Sequence, residues 1–170
     1  TERWEKTKKY HFEEDKKRSI MAEVLLRHSL KKNFGITREH VQFTTNRFGK
    51  PMLKNFEHIH FNLAHSGDWV VCGVSNDPIG IDVEIIKFID LGVAKSFFRR
   101  YEYNDILNQP KEKQIKYFYK LWTLKESYVK AEGKGLSIPL DSFSFCILPH
   151  VIHMYEGNEL SKKYCFQVFN

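Results

Sequence analysis

The stretch "DPIGIDVE" (residues 77–84) decides how the rest of the chain is interpreted. In an extended chain successive side chains point to opposite faces, so Asp82 and Glu84 share one face while Ile81 and Val83 share the other. Two like charges on one face repel each other unless a positive group lies between them. The pattern therefore leaves two interpretations open: an edge strand whose charges face water, or a site for a divalent cation.

Helical and strand-like patterns alternate on both sides of this stretch. The predicted helices are 13–33, 93–98, 103–107 and 112–132, and the predicted strands are 40–45, 58–65, 69–75, 79–86, 141–148 and 163–169. A helix followed by antiparallel-looking strands occurs twice along the chain. This order predicts an α+β fold of two halves, 1–76 and 77–170, each with a long helix packed on a small antiparallel sheet.

The composition is typical of a globular protein. With 170 residues, 42% of them hydrophobic, the chain is long enough for one compact domain or two small lobes. It contains no apolar run of bilayer-spanning length and opens on no signal-peptide pattern, so we expect no membrane association. Cys72, Cys146 and Cys165 are odd in number and widely spaced in apolar runs, which predicts reduced thiols and a cytoplasmic location.

Positive charge is concentrated near the beginning of the chain. The formal net charge is +6, and 14 of the 27 Lys and Arg residues lie within the first 54 positions. Such a field attracts nucleic acid, a phosphorylated cofactor or an acidic partner protein, and charge alone does not choose among them. A basic face that is simply solvated is an equally open interpretation.

The predicted helix 112–132 carries an acid and a base on one stripe. Trp122, Glu126 and Lys130 follow each other at steps of four, and alone they indicate an ordinary Glu–Lys helix pair. If this helix packs near Asp82 and Glu84, three carboxylates surround a site that suits magnesium, which is usually held by few carboxylates together with substrate phosphates. Lys130 would then reach the same pyrophosphate, as in a phosphoryl-transfer site.

Other phosphate-binding signals are weak. The segment "NLAHSG" (62–67) ends a predicted strand, so His65 and Ser66 either donate hydrogen bonds to a phosphate or only close a turn. The sequence has no Walker-type loop and no GxGxxG motif, which argues against the common nucleotide cradles.

Three segments together resemble a known family. "FNLAHSG" (61–67), "IGIDVE" (79–84) and "LWTLKESYVKAEGKGL" (121–136), in this order, are similar to the signature of 4′-phosphopantetheinyl transferases of the surfactin-synthetase-activating (Sfp) type. The resemblance covers nearly the whole chain. It implies an active site in the cleft between two pseudo-symmetric halves, and the transfer of phosphopantetheine from coenzyme A to a serine of an apo carrier protein with release of 3′,5′-adenosine bisphosphate.

The resemblance also implies roles for the acidic residues. Asp82, Glu84 and Glu126 would hold Mg²⁺, with Mn²⁺ as an alternative, on the coenzyme A diphosphate, and Lys130 would contact that diphosphate. The general base stays open between Glu126, Glu102 and a metal-bound water that relays the proton to one of them.

The adenosine end of coenzyme A is assigned by the resemblance to residues of the first half. They are Arg3, Lys6, Ser19 and His65 around the ribose 3′-phosphate, and Lys50 with the backbone of Gly49 and Pro51 along the adenine. Ala64 departs from the family, because many relatives carry Ser in this loop and the hydroxyl is absent here.

The resemblance names carrier domains of peptide or polyketide synthetases, or of fatty acid synthesis, as partners. Such carriers are typically acidic, so a positive cleft would steer both them and coenzyme A. By analogy we expect a monomer. Two other classes remain to be weighed: a basic nucleic-acid-binding module, which would interleave its cations with exposed aromatics, and a magnesium-dependent phosphatase or nuclease, which would bring more metal ligands. We expect no nucleic-acid partner.

Overall fold

The computed structural model describes residues 13–169, and its first half consists of a long helix and two hairpins. The elements are α1 (Glu13–Phe34), β1 (Phe43–Thr45), β2 (Pro51–Leu53), β3 (His60–Ser66) and β4 (Trp69–Ser75). β1 pairs with β2, and β3 pairs with β4, both antiparallel. α1 packs on the β3–β4 hairpin, where Leu26 and Leu30 are fully buried with Leu53, so the apolar stripe of the helix and the inner face of the strands form one core.

The second half places another long helix on a three-stranded sheet. The elements are α2 (Ala94–Phe97), α3 (Arg100–Asn108), α4 (Lys111–Glu132), β5 (Phe143–Ile147), β6 (Ile152–Glu156) and β7 (Glu159–Ser161). The sheet is antiparallel in the order β5–β6–β7. α4 buries Phe118, Leu121 and Leu124 against Phe143 and Phe145 of β5, which forms a second core. The α+β fold class is therefore as predicted.

The predicted helices agree with the observed ones, but two predicted strands are wrong. Segments 79–86 and 163–169 form no hydrogen-bonded ladder with any strand in the described part of the chain. Conversely, β2, β6 and β7 were not predicted. β2 and β7 are three residues long with mostly exposed side chains, so alternation of apolar and polar residues did not reveal them. β6, with five residues, was missed although its apolar Ile152 and Met154 are two positions apart.

Segment 79–85 lies beside β3 but is held by side chains. Ile81 N–H donates to Asn62 Oδ1 at 2.8 Å, and Ile85 N–H donates to Ser66 Oγ at 3.1 Å. Asn62 and Ser66 are four residues apart on β3 and therefore point to the same face. The two side chains take the place of a backbone partner, which explains why a strand-like sequence is extended without forming a strand.

Segment 164–168 is also extended without a ladder to described residues. Tyr164, Phe166 and Val168 pack against the second core, while Cys165 and Gln167 are exposed. The Phe166 ring lies 4.7 Å from the Phe145 ring in an edge-on contact. The alternation that suggested a strand is thus real, but it reflects side-chain packing rather than strand pairing.

Candidate active site

An ion pair joins segment 79–85 to α4. Lys130 Nζ donates to Asp82 Oδ1 at 2.5 Å. The Asp82 side chain is only 5% exposed, whereas that of Lys130 is 30% exposed. The second oxygen, Asp82 Oδ2, is buried and has no hydrogen-bond partner among residues 13–169. A buried carboxylate oxygen without a partner is costly, so it marks a position where a cation would be favourable.

Two further carboxylates and one ammonium act on Asp82 electrostatically. Burial raises the pKa of Asp82 from its ordinary 3.8 to about 6; the Lys130 ammonium opposes the rise, while Glu84 and Glu126 add to it. Both other predicted carboxylates therefore lie within electrostatic reach of Asp82. Concentrated negative charge of this kind binds a hard cation or a protonated group.

Gly80 brings Asp82 to this position. A Cβ placed on Gly80 would lie 1.8 Å from the Ser127 carbonyl oxygen and 2.5 Å from the Ala131 amide nitrogen, both in the backbone of α4. Helix backbone cannot move aside as a side chain would, so only glycine permits this contact. This role of Gly80 was not predicted, although a glycine inside a strand-like run signals a close backbone approach.

The Ser66 hydroxyl is occupied by a hydrogen bond to Glu84. Ser66 Oγ donates to Glu84 Oε2 at 2.9 Å while accepting the hydrogen bond from Ile85 N–H. Because the hydroxyl proton is used in this contact, Ser66 orients the exposed Glu84 carboxylate. The hydrogen bond to a phosphate that the sequence left open for Ser66 is not available without breaking this one.

The residues present fit a magnesium ion by their chemistry but do not form a closed cage. Within residues 13–169, no three His, Cys, Asp or Glu side chains are close enough together to hold one metal ion. The fit is supported by the partnerless Asp82 Oδ2 and by the hard oxygen donors of Glu84 and Glu126. Magnesium is usually held by one or two carboxylates with waters and phosphates, so the open arrangement suits it better than an all-protein site.

The structure places Glu102 away from this site, in the second core. Its side chain is fully buried and forms an ion pair with fully buried Lys125 at 2.9 Å. Its carboxylate also accepts hydrogen bonds from Arg99 N–H at 2.9 Å and Phe145 N–H at 2.8 Å. A carboxylate that is enclosed and satisfied by protein donors is not open to a substrate, which argues against the general-base role predicted for Glu102. It stabilises the junction of α3, α4 and β5.

The residues predicted along the adenine lie in the turn between β1 and β2. Gly49 is exposed with a φ of +87°, and Pro51 opens β2 with an exposed ring. Lys50 is half-buried, and its ammonium donates to the carbonyls of Ala131 at 3.0 Å and Ile79 at 3.3 Å. Burial lowers the Lys50 pKa. The turn therefore sits against the same helix and segment that carry the carboxylates.

The residues predicted around the ribose 3′-phosphate are placed only in part. Ser19 is buried on α1, and His65 is exposed on β3, two elements that pack against each other. Arg3 and Lys6 lie outside the described residues.

In the described part of the chain, no helix combines the length and apolar character that crossing a membrane requires.

Comparison with known proteins gives two matches to family models. One, described as the 4′-phosphopantetheinyl transferase superfamily, matches residues 78–169, and another, described as the 4′-phosphopantetheinyl transferase N-terminal family, matches residues 1–76. The first match contains the Asp82–Lys130 pair with Glu84 and Glu126.

Bacillus proteins are among the similar relatives. The chain is 44% identical over 143 residues to 4′-phosphopantetheinyl transferase Sfp of Bacillus subtilis, which covers 84% of the chain and 64% of that protein. It is 45% identical over 136 residues to 4′-phosphopantetheinyl transferase psf-1 of Bacillus pumilus, covering 80% of the chain and 58% of that protein. The chain thus spans less than two thirds of the length of these relatives.

Proposed function

Because the chain belongs to the 4′-phosphopantetheinyl transferase superfamily, we propose that it transfers the 4′-phosphopantetheine group from coenzyme A to a serine of an apo carrier protein. The released product is 3′,5′-adenosine bisphosphate. The observation that carries the proposal is the Asp82–Lys130 pair, which combines a partnerless buried carboxylate oxygen with a half-buried ammonium. An acid that favours a cation and a base that favours an anion, side by side, suit a metal-bound diphosphate.

Asp82, Glu84 and Glu126 would hold Mg²⁺, or Mn²⁺ in its place. When bound, the metal supplies charge neutralisation on the diphosphate as phosphorus–oxygen bonds rearrange. Lys130 reaches the same diphosphate as a point charge from one helical turn beyond Glu126. Phosphoryl transfer depends mainly on positioning and charge stabilisation, so these side chains supply most of what the reaction needs.

Glu126 is the proposed general base. The carrier serine oxygen forms a bond to the phosphorus that bears pantetheine, and the bond from that phosphorus to the bridging oxygen breaks. The bridging oxygen leaves with the bisphosphate, and the serine proton passes to the Glu126 carboxylate. Glu126 is half-buried on α4, where a substrate can approach it, whereas Glu102 is enclosed in the core.

The adenosine end of coenzyme A would lie against the first half, 1–76, with the diphosphate on the second half, 77–170. The proposed contacts are Gly49, Lys50 and Pro51 for the adenine, and Arg3, Lys6, Ser19 and His65 for the ribose 3′-phosphate. The partners are carrier domains of peptide, polyketide or fatty acid synthesis. A net charge of +6 supports an acidic partner, and we propose that the protein acts as a cytoplasmic monomer.

The direct experiment is to incubate the chain with coenzyme A, Mg²⁺ and an apo carrier domain and to measure the mass of the carrier. We expect a gain of one phosphopantetheine, which Asp82→Ala and Glu126→Ala abolish. Glu112→Ala is the matched control, because Glu112 is an exposed glutamate on the first turn of the same helix. An unmodified carrier, or coenzyme A cleaved without a carrier as a hydrolase would do, contradicts the proposal.

A further inference from the structure

One side chain organises the turn between β1 and β2. Asn46 Oδ1 accepts hydrogen bonds from Phe48 N–H and Lys50 N–H, each at 2.9 Å. The backbone of Asn46 also pairs with the turn, since its N–H donates to the Lys50 carbonyl and its carbonyl accepts from Gly49 N–H, each at 3.0 Å. Asn46 therefore fixes the shape of the segment to which the adenine contacts are assigned.

The same side chain ties this turn to the end of α4. Asn46 Nδ2 donates to the Gly133 carbonyl oxygen at 2.8 Å. Gly133 has a φ of +67° and follows the last residue of the helix, so it needs glycine for its backbone conformation. A Cβ there would also lie 2.6 Å from Lys50 Cδ and 3.1 Å from Asn46 Nδ2, which shows how closely the turn packs on Gly133.

Lys50 adds contacts to α4 and to segment 79–85. These two elements carry the carboxylate cluster, that is, Glu126 on α4 and Asp82 with Glu84 on the segment. The Lys50 ammonium donates to the Ala131 carbonyl at the end of α4 and to the Ile79 carbonyl, next to Gly80. The turn is therefore fastened to the helix that carries Glu126 and to the segment that carries the other two carboxylates. We call Asn46 and Lys50 the latch.

We propose that Asn46 is a positioning residue: through the latch it fixes the distance between the turn that binds adenosine and the cluster that binds the diphosphate. This inference rests on the proposed function. Coenzyme A carries both groups on one molecule, so it gains affinity over a fragment only when the two subsites are held at the spacing of the ligand. A loose latch would leave each subsite intact but lose the gain from linking them.

The test compares coenzyme A with adenosine 3′-monophosphate, which has the adenosine end and no diphosphate. Asn46→Asp keeps an oxygen for Phe48 N–H and Lys50 N–H but replaces the donor to Gly133 with a carboxylate oxygen that its carbonyl repels. By calorimetry in Mg²⁺, we expect coenzyme A to bind about tenfold more weakly, and the monophosphate to change by less than about twofold. Circular dichroism checks that each variant is folded, so that equal weakening of both ligands in a folded variant reports on the turn itself.

Asn33→Asp is the matched control, because Asn33 Nδ2 donates to the Ser29 carbonyl at 2.9 Å at the exposed end of α1. It introduces the same charge away from the latch, and we expect neither ligand to change. Asn46→Ser is the second variant: its hydroxyl can still accept from Phe48 N–H but is too short to reach the Gly133 carbonyl, so we expect the same selective loss of coenzyme A.

The outcomes separate the latch from the proposed function. Equal weakening of both ligands in the latch variants would mean that the turn only binds adenine, and unchanged affinity for both would mean that the latch does not set the spacing; either result overturns the inference alone. If the unsubstituted chain binds coenzyme A no more tightly than the monophosphate, the proposed function fails and the inference fails with it.

Discussion

Replacing Asp82 with asparagine should change how the stability of the fold depends on pH. Burial raises the pKa of Asp82 from 3.8 to about 6, so between these two values the folded state binds more protons than the unfolded state. Stability therefore falls as pH rises through this window, and the ionised carboxylate destabilises the folded state above it. At about 1.4 kcal/mol per pH unit, the full effect is about 3 kcal/mol.

Asp82→Asn cannot ionise, yet its Oδ1 still accepts the hydrogen bond from Lys130. The new amide nitrogen has no partner at the position of Oδ2, and this constant penalty does not depend on pH. The unfolding free energy of the variant, relative to the unsubstituted chain, should therefore rise by about 2–3 kcal/mol between about pH 4 and about pH 7.

The assay is urea unfolding of both proteins across this pH range without added metal. Asp68→Asn is the control, since Asp68 lies exposed in the β3–β4 turn, and its difference from the unsubstituted chain should stay flat. A difference for Asp82→Asn that stays flat with pH would mean that the Asp82 pKa is the same in the folded and unfolded states, and one that falls as pH rises would mean that the ionised Asp82 is stabilised by its surroundings. Either outcome is incompatible with a raised Asp82 pKa.

Three further predictions concern the elements that position the site. Lys125→Met removes the counter-charge of buried Glu102, and urea unfolding should show a loss of about 3–5 kcal/mol; a normal stability would contradict the structural role of the pair. Gly80→Ala places a methyl group against the backbone of α4, whereas the methyl group of Gly73→Ala meets only the flexible end of Ile79. Gly80→Ala should therefore weaken coenzyme A binding more than Gly73→Ala does. Equal effects of the two variants in calorimetry would argue against the close backbone contact. Ser66→Ala leaves Ile85 N–H without its acceptor, so the free energy of unfolding measured in urea should fall by about 1 kcal/mol. An unchanged urea midpoint would mean that water replaces the hydroxyl.

The helices were predictable because local signals define them. The stripe containing Leu121, Leu124 and Tyr128 sets the buried face of α4, and Gly133 ends the helix in a left-handed conformation, so both its extent and its core face follow from the sequence. The strand-like segment 79–86 was misread because alternation reports which side chains are buried and not what the backbone pairs with. Its partners are the side chains of Asn62 and Ser66.

Sequence spacing indicated the charged groups of the candidate site but not their contacts. The spacing of Asp82 with Glu84, and of Glu126 with Lys130, indicated the four charged groups. The sequence could not show that Glu102 is buried, because a glutamate among charged neighbours normally faces water and its partner lies elsewhere in the chain.

The latch was beyond sequence analysis for the same reason. Asn46 and Gly133 are 87 positions apart, and both read as ordinary turn residues. Contacts of this kind depend on tertiary packing, which no local pattern reports.

We propose that the carboxylates around Asp82 hold a metal ion on the diphosphate of coenzyme A. Calorimetric titration of coenzyme A into the chain, first with Mg²⁺ and then with a chelator, measures how much of the affinity depends on that metal. We expect removal of Mg²⁺ to weaken binding at least about tenfold in the unsubstituted chain and to have little effect on Glu126→Gln, which binds weakly in both conditions. Equal affinity with and without Mg²⁺ in the unsubstituted chain would mean that no metal ion joins these carboxylates to the diphosphate.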